Sequence, residues 1–426
     1  MIFINFKVKL FLSMPKEKII AVIDIGSSKI CTIIANSVEG KNSVIGVSNV
    51  ASKGIRKGVV VDIDEAVESI SQSLERAERM AGCSVSSAFV TISGSHIESL
   101  NSHGVVAVSH QDAEIGEVDV SRVIEAAQAI SLPSNRELIH VIPRDFIVDK
   151  QDGVRDPVGM SGIRLEVEVN IIHGSATALK NLTKCINRIG VEVSDLIYAA
   201  LSAAEATLTD TEKTLGTILV DIGGGTTSII IYKEGSPVYS SVLPVGGQNI
   251  TNDLAIGLRA SLETAEKIKL KLSVEGKNNS VEEMLKGELD VKEFGLETTT
   301  VQKKLLNDIS RERLEELFKL VAIEIKKANC IGKLPAGIVI TGGGAETYYI
   351  EKIARDVLRI PVRTAFPKGV SGLIDEIEGA PFSSAVGAIL YSSKMNKEIT
   401  RFGSKGRMQL MGILGKIKSF IKSLLP

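Results

Sequence analysis

Three apolar runs follow one another near the start of the chain: IIAVID at 19–24, KICTIIA at 29–35 and SVIGVSNVA at 43–51, the last two separated by a reversal at Glu39-Gly40. Their length and β-branched content predict three strands of a meander. From Thr217 the same order recurs as TILVD, TTSIIIY, a turn at Lys233-Glu234-Gly235 and PVYSSVLPV. Two copies about 200 residues apart exceed one ordinary domain and predict two related lobes. Helical periods follow in each copy. DIDEAVESISQSLERAERMAG at 62–82 ends on Gly82 as a C-cap, and GQNITNDLAIGL leads into SLETAEKIKLKL. Asp62, Asp64 and Glu65 resemble a metal cluster but stand where an N-cap and an acidic first turn belong, so they are read as capping. Between the copies, residues 95–173 carry one helical stretch, DVSRVIEAAQAI, among strands. In RLEVEVNII, Leu165, Val167, Val169 and Ile171 alternate with Glu166, Glu168 and Asn170. This predicts a small inserted α+β unit.

Each copy breaks its first strand from its second at a carboxylate followed by small residues: Asp24-Ile25-Gly26-Ser27-Ser28-Lys29 and Asp221-Ile222-Gly223-Gly224-Gly225-Thr226-Thr227. Neither loop opens a helix or carries Gly-Lys-Ser/Thr, which excludes a Rossmann fingerprint and a Walker loop. A strand-to-strand hairpin with bare backbone lets N–H groups approach an anion, and the Ser27, Ser28, Thr226 and Thr227 hydroxyls can donate to phosphate oxygens. Asp24 and Asp221, placed between two phosphate loops, suit Mg²⁺ held through its waters. The plainer reading is two glycine hairpins with capping aspartates; their pairing favours a nucleotide.

The chain has 426 residues, 44% hydrophobic and 24% charged, enough to bury a large bilobed core. A formal net charge of −1 gives no global attraction for nucleic acid, so any basic partner surface is local. Cys31, Cys83, Cys185 and Cys330 lack CxxC or metal-ligand spacing and are expected as reduced core thiols. His96, His103, His110, His140 and His173 show no metal pattern and are read as packing or surface residues. The opening MIFINFKVKLFLSM is too short to span a bilayer; Met14 is the expected start, with residues 1–15 an extension outside the fold.

Five stretches in order resemble the actin/sugar-kinase/heat-shock chaperone ATPase superfamily: DIGSSK as phosphate loop 1, LIYAALSAAEATL as the first connecting helix, DIGGGTT as phosphate loop 2, IVITGGGAETYYIEKIA as the adenosine motif and PFSSAVGAILY as the second connecting helix. The resemblance implies a two-lobed α/β fold of duplicated ribonuclease-H-like domains binding ATP and Mg²⁺. It implies that Gly342, Gly343, Gly344 and Ala345 approach the nucleoside. Glu266 and Lys269, three apart on one helical face, would contact ribose and purine, although an ordinary surface ion pair has the same spacing. Within the superfamily the chain, from about Lys16 to Ser392, is similar to the FtsA family of actin-like bacterial division proteins, whose inserted subdomain 1C residues 95–173 fit in size and position.

On that resemblance subdomain 1A spans 16–94, 174–200 and 370–392; 1C spans 95–173; 2A spans 201–245 and 332–369; and 2B spans 246–331. The implied function is a scaffold that self-associates, binds the C-terminal tail of the tubulin-like FtsZ and tethers the division ring to the cytoplasmic face of the inner membrane at the septum, helping to recruit later divisome proteins. Subdomain 2B would receive the FtsZ tail, with Lys303, Lys304 and Arg311 as charged candidates. Active relatives orient the attacking water with Glu or Gln in the first connecting segment. Here Ala199 and Ala200 stand near that place and Glu205 lies further along, so Glu205 is the remaining catalytic candidate and turnover is expected to be slow or conditional.

A polar linker at 393–407 precedes LMGILGKIKSFIKSLLP. Leu410, Ile413, Leu414, Ile417, Phe420, Ile421 and Leu424 fall on one helical face about 120° wide, with Lys416, Lys418 and Lys422 beside it. Residues 408–426 are expected as an amphipathic helix lying in the membrane interface. Two alternatives remain: a PilM-type pilus-assembly adaptor, whose relatives end without such a helix, and a small-molecule kinase or ATPase of the same fold.

Overall fold

The first apolar runs become β1 (Lys18–Ile25), β2 (Lys29–Val38) and β3 (Lys41–Ala51), an antiparallel meander with Asp24 opposite Cys31. The computed structural model describes residues 18–108, 114–130, 132–278, 286–294 and 299–401. The N-terminal extension and the amphipathic segment 408–426 lie outside the described residues. A short hairpin of β4 (Ile55–Arg56) and β5 (Val59–Val60) leads into α1 (Ile63–Ala81). Asp62 accepts from the Asp64 and Glu65 N–H groups at 3.0 Å, and Gly82 ends the helix at φ 67°, the capping that the sequence indicates. β6 (Ser87–Ile92) then runs parallel to β1.

The inserted unit consists of β7 (Glu98–Ala107), α2 (Glu117–Gln128), β8 (Arg136–Val148), β9 (Gln151–Val154) and β10 (Arg164–Ser175). Alternation in β10 puts Leu165, Val167, Val169 and Ile171 in a separate small core with Val123, Ala127 and Phe146. The chain returns through α3 (Ala176–Arg188) and β11 (Glu192–Tyr198) to α4 (Ala199–Thr207) and α5 (Asp210–Leu215). The expected first connecting helix is thus shorter than LIYAALSAAEATL: Leu196, Ile197 and Tyr198 finish a strand. Tyr198 is fully buried, and its hydroxyl lies 2.9 Å from the carbonyl oxygens of both Ile229 and Ser241, which ties this strand end to the second lobe.

The second copy comprises β12 (Thr217–Ile222), β13 (Thr227–Lys233), β14 (Ser236–Leu243), α6 (Gly247–Leu258) and α7 (Leu262–Asn278). Beyond it come β15 (Glu288–Asp290), β16 (Thr300–Gln302), α8 (Lys303–Lys327), β17 (Ile338–Thr341), α9 (Ile350–Leu358), β18 (Val362–Thr364), β19 (Ser371–Gly372) and α10 (Ser383–Arg401). The duplication shows in strand order. The first sheet reads β11-β6-β1-β2-β3-β19, and the second reads β18-β17-β12-β13-β14 before continuing into β7-β10-β8-β9. In both, the aspartate-bearing strand, β1 or β12, pairs antiparallel on one side and parallel on the other. The inserted sheet joins the second lobe at the ladder pair Ser241–Glu98, beside which Ser240 N–H donates to Ser99 Oγ at 2.7 Å and the Asn101 amide donates to Val238 O at 3.2 Å.

α4 and α10 cross between the lobes. A Cβ on Gly387 would overlap the Ser202 carbonyl oxygen, so the crossing brings backbone against backbone. Gly387→Ala is expected to cost about 2 kcal/mol of stability, as overpacking against unyielding backbone does; an unchanged denaturant midpoint would contradict this contact. α10 also runs through Arg401, so residues 393–401 of the expected linker are helical: no Gly or Pro interrupts them.

Candidate functional site

The two phosphate-loop candidates adopt the same turn. Gly26 N–H donates to Lys29 O at 3.0 Å, and Gly223 N–H donates to Thr226 O at 2.8 Å, so the duplicated segments match bond for bond. They also face each other crosswise. A Cβ on Gly224 would stand 2.5 Å from Ser28 Oγ, and one on Gly225 would stand 2.9 Å from the Ser27 Cβ. Glycine at these two positions is therefore what lets the lobes close. The N-terminus of α6 covers the second loop, with Gly247 N–H on Gly223 O at 2.9 Å and Gln248 N–H on Gly224 O at 2.8 Å.

Asp24 and Asp221 stand one residue before the ends of β1 and β12, on either side of this contact. Asp24 accepts from the Thr91 hydroxyl, and Asp221 accepts from Ser384 Oγ at 3.2 Å. Both residues keep some solvent contact, yet surrounding protein strips enough water from their carboxyl groups to push both upward. For Asp221, desolvation and then the charge of Asp24 raise it from 3.8 to about 7. Asp24 is raised by desolvation, with Lys29 and Thr91 opposing. Two carboxylates that resist ionising together are a site short of positive charge. Lys29 supplies part of it. Its Nζ is buried, has no hydrogen-bond acceptor among the described residues, and lies 3.7 Å from the centroid of the Phe382 ring. A buried ammonium with no acceptor is costly unless an anion completes it. Two carboxylates and an unsatisfied ammonium at facing glycine loops fit a magnesium-bound polyphosphate.

The hydroxyls divide in their availability. Thr226 Oγ1 is 3.1 Å from Ser93 Oγ, whereas Thr227 is fully buried and donates its single proton to Val245 O at 2.8 Å. Thr227 therefore fastens the second loop to the α6 entrance, in place of the phosphate contact expected for it. Ser93 also reaches Ser228 Oγ at 2.9 Å, linking the end of β6 to the opposite lobe.

The adenosine end assembles from separate segments. Lys269 and Glu266 pair at 2.7 Å, and Thr251 bonds both, at 2.9 Å to Lys269 Nζ. Lys269 Nζ also reaches Gly247 O at 3.3 Å, and Gly247 abuts Gly344. The three glycines before α9 open a short 3-10 turn at Gly343–Glu346 before the helix begins. Gly342 presses on the Asp221 carboxylate and Gly344 on the Ile222 side chain, so close packing demands both; Gly343 has open space, with Pro381 at 3.8 Å. Ala345 is buried beneath the turn. Beside it lies a cavity of about 240 Å³ lined by Lys269, Ser273, Asn307, Arg311, Thr347 and Tyr348, among others. A larger shallow groove of about 450 Å³ runs along α3, away from the paired carboxylates.

Glu205 does not join this cleft. It lies six residues into α4 from Ala199, about 9 Å along the axis. One carboxylate oxygen pairs with Lys213 at 2.6 Å and the other with Lys394. Burial alone would raise its pKa, but the two ammonium groups hold it below the ordinary range. We assign it to joining α4, α5 and α10, and not to orienting water. Lys303 is likewise committed, to Glu275 at 2.7 Å with little of its side chain exposed. Arg311 pairs with Glu315 at 2.7 Å on the cavity rim, and Lys304 is exposed. Three of the cysteines are buried and Cys83 is half-buried, and all four are free thiols. His140 is buried against Tyr391 and accepts from Tyr198 N–H at 3.0 Å, while His103 pairs with Glu166 at 3.0 Å. Among the described residues no helix is long and apolar enough to cross a membrane.

Sequence comparison matches residues 94–173 to a family model described as the SHS2 domain inserted in FTSA, and residues 218–387 to one described as cell division protein FtsA. The chain is 38% identical over 385 residues to the cell division protein FtsA of Pseudomonas aeruginosa, covering 89% of this chain and 90% of that protein. In fold it is similar to a PilM-PilN type IV pilus biogenesis complex chain, at TM-score 0.62 and 16% identity over 88% of this chain and 98% of the other. It is also similar to MreB 5 of Spiroplasma citri bound to AMPPNP, at TM-score 0.54 and 15% identity over 91% and 100%.

Proposed function

Because this chain belongs to the family of the cell division protein FtsA, we propose that it is an ATP-binding, self-associating scaffold that holds the FtsZ ring against the cytoplasmic face of the inner membrane at the division septum. The observation that carries the nucleotide part is the buried, acceptor-free Lys29 ammonium beside Asp24 and Asp221, where the two glycine loops meet. In this reading Mg²⁺ supplies charge neutralisation to the terminal phosphates, and Asp24 and Asp221 hold it through water. The loop amides and the Ser27, Ser28 and Thr226 hydroxyls face the phosphates. Glu266, Lys269 and the Gly342–Ala345 turn lie along the nucleoside. No carboxylate in α4 is placed to orient water, which favours ATP as a device that closes the lobes and promotes self-association over rapid turnover.

The tail of FtsZ is assigned to the subdomain built from α6, α7 and α8, with Lys304 the exposed basic candidate. Residues 408–426 are assigned to the membrane: Lys416, Lys418 and Lys422 near an anionic leaflet contribute about 1 kcal/mol each. Co-sedimentation of the full chain with FtsZ and anionic vesicles tests both. FtsZ is expected in the vesicle pellet only when the chain is present with ATP, and deleting residues 408–426 is expected to abolish vesicle binding while ATP binding persists. Vesicle binding that survives the deletion would remove the anchor and favour a pilus-type adaptor.

A further inference from the structure

We infer that Lys57 is a third phosphate-binding element, a cation carried by the β4–β5 hairpin to the terminal phosphate of the nucleotide; this rests on the ATP-site reading above. The hairpin has a two-residue tip, Lys57 at φ 50° and Gly58 at φ 74°. The same paired positive φ values occur at Glu39-Gly40 and Glu234-Gly235, the far turns of the two meanders, so the turn type alone says nothing about function. Position distinguishes this tip.

Gly58 N–H donates to Ser27 Oγ in the first phosphate loop at 2.8 Å. A Cβ on Gly58 would overlap the carbonyl oxygen of Ser93, whose hydroxyl bonds Thr226 and Ser228 of the opposite lobe. Lys57 N lies 3.3 Å from where a Cβ of Gly225 would stand. The tip is thus wedged where the two phosphate loops converge, touching Ser27 on one side and Gly225 on the other. Lys57 is exposed, and no ion pair holds its ammonium among the described residues. A long, flexible stem anchored at that point reaches a phosphate oxygen held between the loops. Lys29 is the other cation, buried where its charge acts on Asp24 and Asp221. Two cations suit a polyphosphate whose negative charge exceeds the +2 that one magnesium ion supplies.

Lys57→Gly isolates the ammonium, because glycine adopts the same backbone without strain. Calorimetric titration of the full chain with Mg-ATP and Mg-ADP is the test. The expected result is a tenfold or greater loss of ATP affinity in Lys57→Gly, less than a twofold change for ADP, and no change for either nucleotide in Arg56→Ala. A merely structural tip would weaken both nucleotides alike. Unchanged ATP affinity in Lys57→Gly, or equal losses for ATP and ADP, overturns the assignment while the ATP site stands. Absence of binding by the unaltered chain overturns the ATP site and this assignment together.

Discussion

Asp221→Asn is expected to abolish the magnesium dependence of nucleotide binding and, at the same time, to stabilise the nucleotide-free protein at pH 8. The sign follows from the raised pKa. A carboxyl group moved from 3.8 to about 7 in the folded chain contributes stability that is complete below about pH 4 and is lost as pH rises through about 7. At pH 8 the folded state therefore carries the penalty of ionising Asp221 beside Asp24, of the order of a few kcal/mol. Asparagine removes that penalty and the metal's water partner together. Thermal unfolding of both proteins should show a gap that widens between pH 5 and pH 8, with the variant the more stable. Parallel curves at all pH values would show that the Asp221 carboxyl is not forced upward in the folded chain.

Gly224→Val has the second large effect. Its Cβ would stand 2.5 Å from Ser28 Oγ, so the branched side chain holds the two loops apart. The lobes then cannot close on a shared polyphosphate, and ATP affinity is expected to fall roughly 100-fold, about 2.8 kcal/mol. Leu219, Ile230 and Val339 of the second lobe pack into the core of the first, so the substitution leaves that joint core in place and the variant should melt as one folded species. An ATP affinity within twofold of the unaltered chain would mean that the loops do not share the ligand.

The strands, the α1 caps and the duplicated loops were legible because each rests on local chemistry: alternation, a capping aspartate, glycine where backbone approaches. The equivalence of Gly26 and Gly223 is visible in the residues themselves. What was not legible depends on pairs far apart in sequence. Thr91 on Asp24, Ser384 on Asp221 and Ser93 on Thr226 join residues 67, 163 and 133 positions apart, and no local spacing announces them. The same distance effect reassigned three expected residues. Glu205 and Lys303 found partners in neighbouring helices, and Thr227 found the Val245 carbonyl, because a polar group taken out of water is satisfied by whatever packs nearest. Leu196-Ile197-Tyr198 reads as helical with the alanines that follow. The parallel ladder to β6 claims it as strand instead, and tertiary pairing overrides propensity there. A signal for the β4–β5 tip did exist. KGIRKG places two glycines and three cations within six residues immediately before a capped helix.

In the proposed site ATP lies in the cleft with its phosphates between the glycine loops and its base beside Lys269 and Tyr348. Photolabelling the full chain with an azido-adenine analogue of ATP in Mg²⁺, followed by sequencing of the labelled peptide, tests it directly. The predicted result is a label competed by ATP and confined to α7 or the segment from Gly344 to Tyr349. A label that ATP does not compete, or one on the α3 groove or the inserted unit, would show that the nucleotide does not bind between the loops.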